Sequence, residues 1–309
     1  MEIGFVGLGR MGKNMVLRLL AGGHRVVAWN RSSEPMAEVI AKGATAARDF
    51  ADLVAQLTPP RVVWVMLPAG DVTEKTLGDL APLFARGDIL VDGGNAHYKD
   101  SRRRAAELAA RGLMFVDAGT SGGIWGLEIG YCLMVGGERA AVDRIAPVLA
   151  TLAPPDGFLH VGGPGAGHFV KMVHNGIEYG MMQAYAEGFE LIRASDYAPD
   201  LGQVAHLWNQ GSVVRSWLLE LAERALRADP ELARLDDYVE DSGEGRWTVT
   251  ESIERAVPLP VLTLALQMRF RSRQSESFAG KMLAALRREF GGHAVRAAES
   301  ASPGKQAGR

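Results

Sequence analysis

Apolar and polar positions divide the chain into two halves of different period. Over the first part, short apolar runs at 3–6, 26–29, 61–67 and 88–91 read as buried strands. Helical patterns follow the first run as far as Leu20 and recur near 34–42, 72–85 and 98–111. Two later runs, 114–117 and 131–135, extend the same sheet. Strand and helix in alternation predict an α/β fold with a mostly parallel, doubly wound sheet. The Gly/Pro-rich segment 162–167 then marks a boundary, and beyond it the period becomes helical: 168–194, 200–227, 230–240, 249–256 and 259–290. The expected domains are 1–162, a nucleotide-type sheet, and 163–309, all-α, the latter ending in a frayed tail over 295–309.

Within the helical half, 171–183 reads KMVHNGIEYGMMQ. At 3.6 residues per turn Lys171, His174, Asn175, Glu178 and Met182 share a narrow stripe, with Tyr179 at its edge. Met172, Val173, Gly176, Ile177, Gly180 and Met181 occupy the rest of the circumference, which predicts a buried helix with its polar stripe facing an interior cavity. A solvated face is the competing explanation, but such faces favour interchangeable Lys and Glu over His, Asn and Tyr.

Composition narrows the function classes. The chain has 309 residues, 47% apolar and 23% charged, with a net charge of -2, so no global positive field recommends nucleic acid as a partner. A single cysteine, Cys132, excludes an intramolecular disulfide and a cysteine-based metal site, and its apolar neighbours predict a buried structural thiol. No metal site is expected. The N-terminal run has no basic or cleavable leader and no apolar run reaches membrane-spanning length, so the expected location is the cytoplasm.

The first strand is followed at once by Gly7-Leu8-Gly9-Arg10-Met11-Gly12 and a helix. This is G-x-G-x-x-G in the strand–turn–helix setting that a dinucleotide-binding, Rossmann-type fold requires. The glycines permit the tight turn, backbone approach to the pyrophosphate and helix–strand packing, and the helix N-terminus attracts the anion. The second strand ends in Asn30-Arg31-Ser32, where an NAD-binding protein carries Asp or Glu for the ribose. Without a carboxylate there, and with Arg31 and Ser32 able to contact a 2'-phosphate, NADP is preferred and NAD remains possible. Three loops share the cofactor edge: Leu67-Pro68-Ala69, Asp92-Gly93-Gly94-Asn95 and Gly119-Thr120-Ser121-Gly122-Gly123.

Taken together, GLGRMG, VDGGN at 91–95, SGG at 121–123, KMVHNGIEY at 171–179, GRWT at 245–248 and FGGH at 290–293 resemble the decarboxylating 6-phosphogluconate dehydrogenases over nearly the whole chain. The likeness is to the short-chain branch of this β-hydroxyacid dehydrogenase superfamily. It implies oxidation of 6-phosphogluconate to ribulose 5-phosphate and CO2 in the pentose phosphate pathway. It further implies Lys171 as base and then acid, and Glu178 as the acid protonating the enediol. Asn95, Ser121, Gly122, Gly123, His174 and Asn175 become substrate contacts, with Asn95 also touching the cofactor. Tyr179, Arg269, Arg287 and His293 are assigned to the phosphate. Arg287 and His293 would come from a neighbouring subunit, so a homo-oligomer is implied.

One departure weakens the phosphate assignment. Ser242 stands where the longer enzymes carry a lysine, with Glu244 two residues on, and Arg246 is the nearest replacement. Two other functions remain open. A non-decarboxylating dehydrogenase of a small 3-hydroxy acid would share both glycine loops and the Lys-x-x-x-Asn spacing, although Glu178 and the Arg287–His293 tail count against it. A non-catalytic NADP(H) sensor would have no need of a paired base and acid.

Overall fold

The computed structural model describes residues 1–291 and 294–296. Eight strands form one sheet: β1 Glu2–Val6, β2 Arg25–Trp29, β3 Thr45–Ala46, β4 Val62–Val65, β5 Ile89–Asp92, β6 Met114–Ser121, β7 Cys132–Gly137 and β8 Phe158–Gly162. Their order is β3-β2-β1-β4-β5-β6-β7-β8, parallel throughout except for the β6–β7 pair. The central strands are apolar on both faces because helices cover both. Phe5, Val26, Ala28 and Trp64 point into one core with helices α1 (Arg10–Ala21), α2 (Ser33–Ala41) and, later in the chain, Arg139–Leu152. Val6, Val27, Val63 and Val65 point into the other, under α3 (Phe50–Ala55), α4 (Asp71–Leu80) and α5 (Tyr98–Ala109). A short α6 (Gly126–Ile129) precedes β7, and α7 is the Arg139–Leu152 helix.

The remaining chain is helical: α8 Ala166–Arg193, α9 Leu201–Asn209, α10 Trp217–Ala228, α11 Glu244–Glu254, α12 Pro260–Ser272 and α13 Phe278–Gly291. Helix α8, 28 residues long, starts against β6 and β7 and runs outward to gather α11 and α12. It approaches the sheet closely at Gly167, where a Cβ would lie 2.5 Å from the carbonyl oxygens of Asp117 and Met134. That contact seats the 171–183 segment over the open end of the sheet. No helix among the described residues is long and apolar enough to cross a membrane.

Several elements differ from expectation. The span 200–227 is two helices, broken at Gly211, which has φ 91°. Ser216 restarts the second by accepting the Leu219 N–H. Residues 230–240 form no helix: Leu232, Leu235, Tyr238 and Val239 are exposed, so no apolar face is available to drive one. The span 259–290 divides before Phe278, with the Ser277 hydroxyl accepting from Gly280 N–H. The helix expected over 249–256 begins earlier, at Glu244. Elements β3, α3, α7 and β8 were not foreseen. Helix α7 carries Pro147, which costs about 3 kcal/mol in a helix interior. Burial of Ala141, Val142, Ile145, Val148, Leu149 and Leu152 outweighs that, at about 1.5–3 kcal/mol for each larger side chain.

Candidate active site

The cofactor edge is assembled by the first βα turn. Gly7 has φ 97°, and a Cβ there would meet the Met66 carbonyl oxygen at 2.4 Å. A Cβ on Gly12 would lie 2.0 Å from the Gly7 oxygen, whereas one on Gly9 would meet nothing within 4 Å. The loop is therefore packed tightly on the protein side and open on the other, as approach of a pyrophosphate demands. Helix α1 begins at Arg10 with no side-chain cap and no acidic residue in its first turn, leaving its N–H groups free for an anion. Arg10 is exposed and Met11 lines the neighbouring cleft.

Asn30 braces this loop: its Oδ1 accepts from Leu8 N–H at 2.9 Å and its Nδ2 donates to the Ser32 carbonyl at 3.0 Å. Arg31 and Ser32 are exposed just beyond β2. Leu67, Pro68 and Ala69 follow β4, and Asn95 follows β5. The two loops touch, a Cβ on Gly94 falling 2.4 Å from the Leu67 oxygen. All these groups lie at the carboxyl ends of parallel strands, where open α/β sheets bind ligands. The residues present fit a dinucleotide.

Beside this edge opens a cleft of about 660 Å³. Asn95, Ser121, Gly122 and Gly123 form its sheet side, and Lys171, His174, Asn175 and Glu178 form its α8 side. Lys171 is 5% exposed and Asn175 8%. Close packing fixes the lysine stem: a Cβ on Gly119 would sit 2.4 Å from the Lys171 Cβ. His174 is the hub. Its Nε2 lies 3.3 Å from Ser121 Oγ, and its Nδ1 lies 3.0 Å from Asn175 Oδ1, 3.3 Å from Lys171 Nζ and 4.0 Å from Glu178 Oε2. Donation from Nδ1 to Asn175 and acceptance from an ammonium require opposite tautomers, so a neutral amine suits the Asn175 bond. Asn95 Oδ1 is buried without a partner among the described residues, an acceptor left for a ligand.

Burial drives the chemistry. Desolvation holds the Lys171 amine below its ordinary 10.5, while the charges of Glu178, Glu244 and Cys132 pull it back up. Burial and the neighbouring Lys171 likewise lower His174, against the upward influence of Asn175 and Glu178. The stripe thus combines a buried amine with depressed basicity and a half-exposed carboxylate, Glu178, two turns further along α8.

Two expectations about this helix are corrected. Ile177 and Met181 are 51% and 37% exposed, so the apolar girth is not all core. Ile177 and Met181 line the cleft instead. Cys132 is exposed rather than buried, because it is the first residue of β7, opposite Ser121 at the end of the β6–β7 ladder. The opposite wall was not foreseen: Ile124 and Trp125 follow the Ser-Gly-Gly loop, and Ser216, Trp217 and Leu221 come from the start of α10. The break at Gly211 and the Ser216 cap were the available signals, since they end one helix and aim another at the cleft.

A second cleft of about 280 Å³ adjoins the first through Asn175 and Glu178 and is lined also by Tyr179, Met182, Glu240, Asp241, Ser242 and Arg269. Arg269 lies 3.4 Å from the Tyr179 ring centroid and donates to the Glu240 carbonyl at 2.8 Å. Tyr179 Oη accepts from Ser242 N–H at 3.0 Å, so Ser242 does reach the cleft as a neutral group. Arg246, the nearest replacement for the absent lysine, does not line this cleft. It is bound to Asp241 at 2.5 Å and stacked 4.5 Å from the Phe270 ring centroid. Arg287 is exposed on α13, which makes no substantial contact with the other described helices, and it lines neither cleft of its own chain. His293 lies outside the described residues.

Comparison with known proteins agrees with this geometry. Residues 2–162 match the NAD binding domain of 6-phosphogluconate dehydrogenase, and residues 167–290 match the 6-phosphogluconate dehydrogenase C-terminal domain. The chain belongs to the 6-phosphogluconate dehydrogenase family. A Haloferax volcanii relative, 6-phosphogluconate dehydrogenase, NAD(+)-dependent, decarboxylating, is 47% identical over 96% of this chain and 98% of its own. The decarboxylating 6-phosphogluconate dehydrogenase of Lactococcus lactis subsp. lactis is 37% identical over 87% of this chain, which spans 61% of that longer protein. The solved Plasmodium falciparum 6-phosphogluconate dehydrogenase, described in apo form and with NADP+ and with its substrate 6-phosphogluconate, superposes with a TM-score of 0.82. That match is 27% identical and covers 99% of this chain and 67% of the other. Membership of the 6-phosphogluconate dehydrogenase family accounts for the NAD(P)-binding fold.

Proposed function

We propose that the chain is an NAD(P)-dependent, decarboxylating 6-phosphogluconate dehydrogenase, converting 6-phospho-D-gluconate to D-ribulose 5-phosphate and CO2 with NADP preferred and NAD accepted. The observation that carries this reading is the position of Lys171 and Glu178 on one face of α8, both bordering the cleft beside the glycine turn. Lys171, whose desolvation favours the neutral amine, takes the proton of the C3 hydroxyl. A nicotinamide held at the glycine turn would supply the acceptor for the C3 hydride. The ammonium then polarises the new C3 ketone, so that the electron pair of the C1–C2 bond moves into an enediol as CO2 leaves. As the enediol forms, the ammonium gives its proton to the C3 oxygen; Glu178 then delivers a proton to the carbon that becomes C1 of the product while the neutral Lys171 takes the proton of the C3 hydroxyl, leaving the product ketone.

Asn95, Ser121, Gly122, Gly123, His174 and Asn175 hold the hydroxy-acid end in this reading. Tyr179 and Arg269 take the phosphate in the second cleft. Arg287, with His293, completes the site from a neighbouring subunit of a homo-oligomer. The exposed apolar residues of α13, Phe278, Met282, Leu283 and Leu286, support such an assembly. Residues 1–162 serve as the cofactor domain and 163–309 as the substrate and oligomerisation domain. A cytoplasmic location follows from the soluble cofactor and sugar phosphate such a reaction consumes.

Initial rates with 6-phosphogluconate and each cofactor, read by reduced-cofactor absorbance and CO2 release, test the assignment. Reduction of both cofactors with stoichiometric CO2 is expected. Turnover of a small unphosphorylated 3-hydroxy acid without CO2 would replace this reading with the non-decarboxylating one, and no turnover of either would leave a nucleotide sensor.

A further inference from the structure

Asp92 ends β5 and begins the Asp-Gly-Gly-Asn loop, yet its side chain is fully buried. A carboxylate taken out of water needs donors and a countercharge. Its Oδ1 accepts from Gly94 N–H at 3.2 Å, and its Oδ2 accepts from Arg104 Nη1 at 3.0 Å. Arg104, on α5, is buried as well, and its Nε donates to Glu74 Oε2 at 2.9 Å, so the guanidinium is held from both sides. Burial pushes the Asp92 carboxyl up, and the charges of His168 and Arg104 oppose that rise. The loop that Asp92 braces has little slack. Gly93 N–H donates to the Val65 carbonyl at 2.8 Å, and a Cβ on Gly93 would lie 2.0 Å from Trp64 Nε1. A Cβ on Gly94 would meet the Leu67 carbonyl. No hydrogen bond among the described residues holds Asn95 Oδ1, so the aim of that side chain into the cleft depends on its backbone. The bond from Gly94 N–H to Asp92 is the tether next to it. The same helix braces the other wall: Ser101, one turn before Arg104, has its Oγ 2.7 Å from Nδ1 of His168, which stands one turn before Lys171.

Resting on the function proposed above, we propose that Asp92 and Arg104 are positioning residues: the buried pair holds the Gly94 N–H and so sets Asn95 where cofactor and substrate meet. Neither side chain lines the cleft, so the pair acts through Asn95 and not on a ligand. An Asx turn at the surface does the same work with a carboxylate kept charged by water. Here no water reaches the carboxylate, and the countercharge comes from α5 instead. A buried pair is a poor device for stability alone, since apolar side chains of similar volume serve as well. It does supply what they lack, an acceptor of fixed direction for one backbone N–H.

A double-mutant cycle read in kcat/KM with 6-phosphogluconate, with thermal unfolding of the same samples, tests this. Asp92→Leu/Arg104→Met keeps the volume of the pair, an exchange that buried ion pairs commonly tolerate, but offers Gly94 no acceptor. It is expected to lower kcat/KM about tenfold or more, on the scale of a hydrogen bond to a charged group. In the Asn95→Ala background the same exchange should cost no more than about twofold, because the residue it acts through is already gone. Asp92→Asn/Arg104→Gln returns a neutral acceptor to Gly94 and should recover to within about threefold of wild type. Equal losses in the two backgrounds would overturn the proposal and make the pair a structural one. A rescue variant as slow as the apolar pair, or Asn95→Ala at the wild-type rate, would do the same. If the apolar pair does not fold, Arg104→Lys, which keeps the charge but not the fork, takes its place in the cycle and the same comparison decides. Wild-type turnover with CO2 release is the separate control. Its absence removes the function and the positioning role with it, whereas turnover with equal losses in both backgrounds removes the positioning role alone.

Discussion

Asp117, within β6, caps the helix that carries Lys171: its Oδ1 accepts from Gly165 N–H at 2.7 Å and its Oδ2 from His168 N–H at 2.8 Å. Both oxygens are thus committed to the first turn of α8, whose own N-cap, Gly165, has no side chain to offer. The sheet and α8 are joined by a buried carboxylate rather than by apolar contact alone, and the two oxygens fix the rotation of α8 as well as its distance.

Asp117→Ala removes both bonds and leaves two buried donors unpaired. The expected loss is about 3 kcal/mol of stability, from the usual cost of charged hydrogen bonds, together with reduced turnover as Lys171 loses its register. Urea unfolding and steady-state rates on the same samples check this. Asp117→Asn keeps one acceptor and should fall between the two; a variant as stable as wild type would show that Asp117 does not set the helix.

Gly119→Ala probes the same seating from the sheet side. The added methyl would lie 2.4 Å from the Lys171 Cβ and 2.9 Å from the Gly167 oxygen, so neither a rotamer change nor a small helix shift relieves both contacts. Overpacking of this kind costs about 1–3 kcal/mol. Turnover is expected to drop about tenfold or more while cofactor affinity stays within about twofold, because the glycine turn at Gly7 is remote from the clash. Cofactor titration by fluorescence, compared with kcat, separates the two effects, and unchanged kcat would mean that the amine tolerates displacement.

Such seating was not legible in the chain beforehand. The glycine turn, the strands that precede and follow it and the Lys171–Glu178 stripe were, because each is a local pattern of fixed period. Asp117 and His168 are 51 positions apart, and nothing local pairs them. Burial of Ile177 and Met181 was misjudged for a related reason: an apolar side chain facing a cleft has the same sequence signature as one facing a core. Cys132 shows the converse, an apolar run whose first residue is exposed at the end of its strand. The wall supplied by Ser216 and Trp217 depended on a helix break at Gly211 that a continuous apolar period concealed.

The depressed basicity of Lys171 yields predictions of opposite sign for activity and stability. In the mechanism proposed above the neutral amine is the active form, so kcat/KM should rise with pH along a limb below the amine's ordinary 10.5. Glu178 is the largest influence raising that value, so Glu178→Gln should shift the limb to lower pH even as kcat falls. For stability, a base whose folded pKa is lowered penalises the fold at pH values below its unfolded pKa, and the penalty disappears as pH rises past 10.5. Lys171→Met should therefore lower turnover by about 10²-fold or more yet raise the melting temperature at neutral pH. A pH–rate series and thermal unfolding of the two variants check all three outcomes, and a destabilised Lys171→Met would contradict the burial argument.

Cofactor choice turns on the end of β2. Asn30 is occupied in bracing Leu8, which leaves Arg31 as the exposed cation next to the position of the ribose, with no carboxylate at 30–32 to repel a phosphate. The 2'-phosphate is what distinguishes NADP from NAD, so loss of a guanidinium that contacts it must act on one cofactor and spare the other. Arg31→Ala is expected to weaken NADP by about tenfold or more, on the scale of a charge-assisted hydrogen bond, and to leave NAD within about twofold. Dissociation constants for both cofactors at two salt concentrations decide the matter, because an exposed ion contact weakens as salt rises. Equal losses for the two cofactors would assign Arg31 to the loop rather than to the phosphate, and the absence of any loss would mean that the Leu8–Asn30 brace alone shapes the adenosine end.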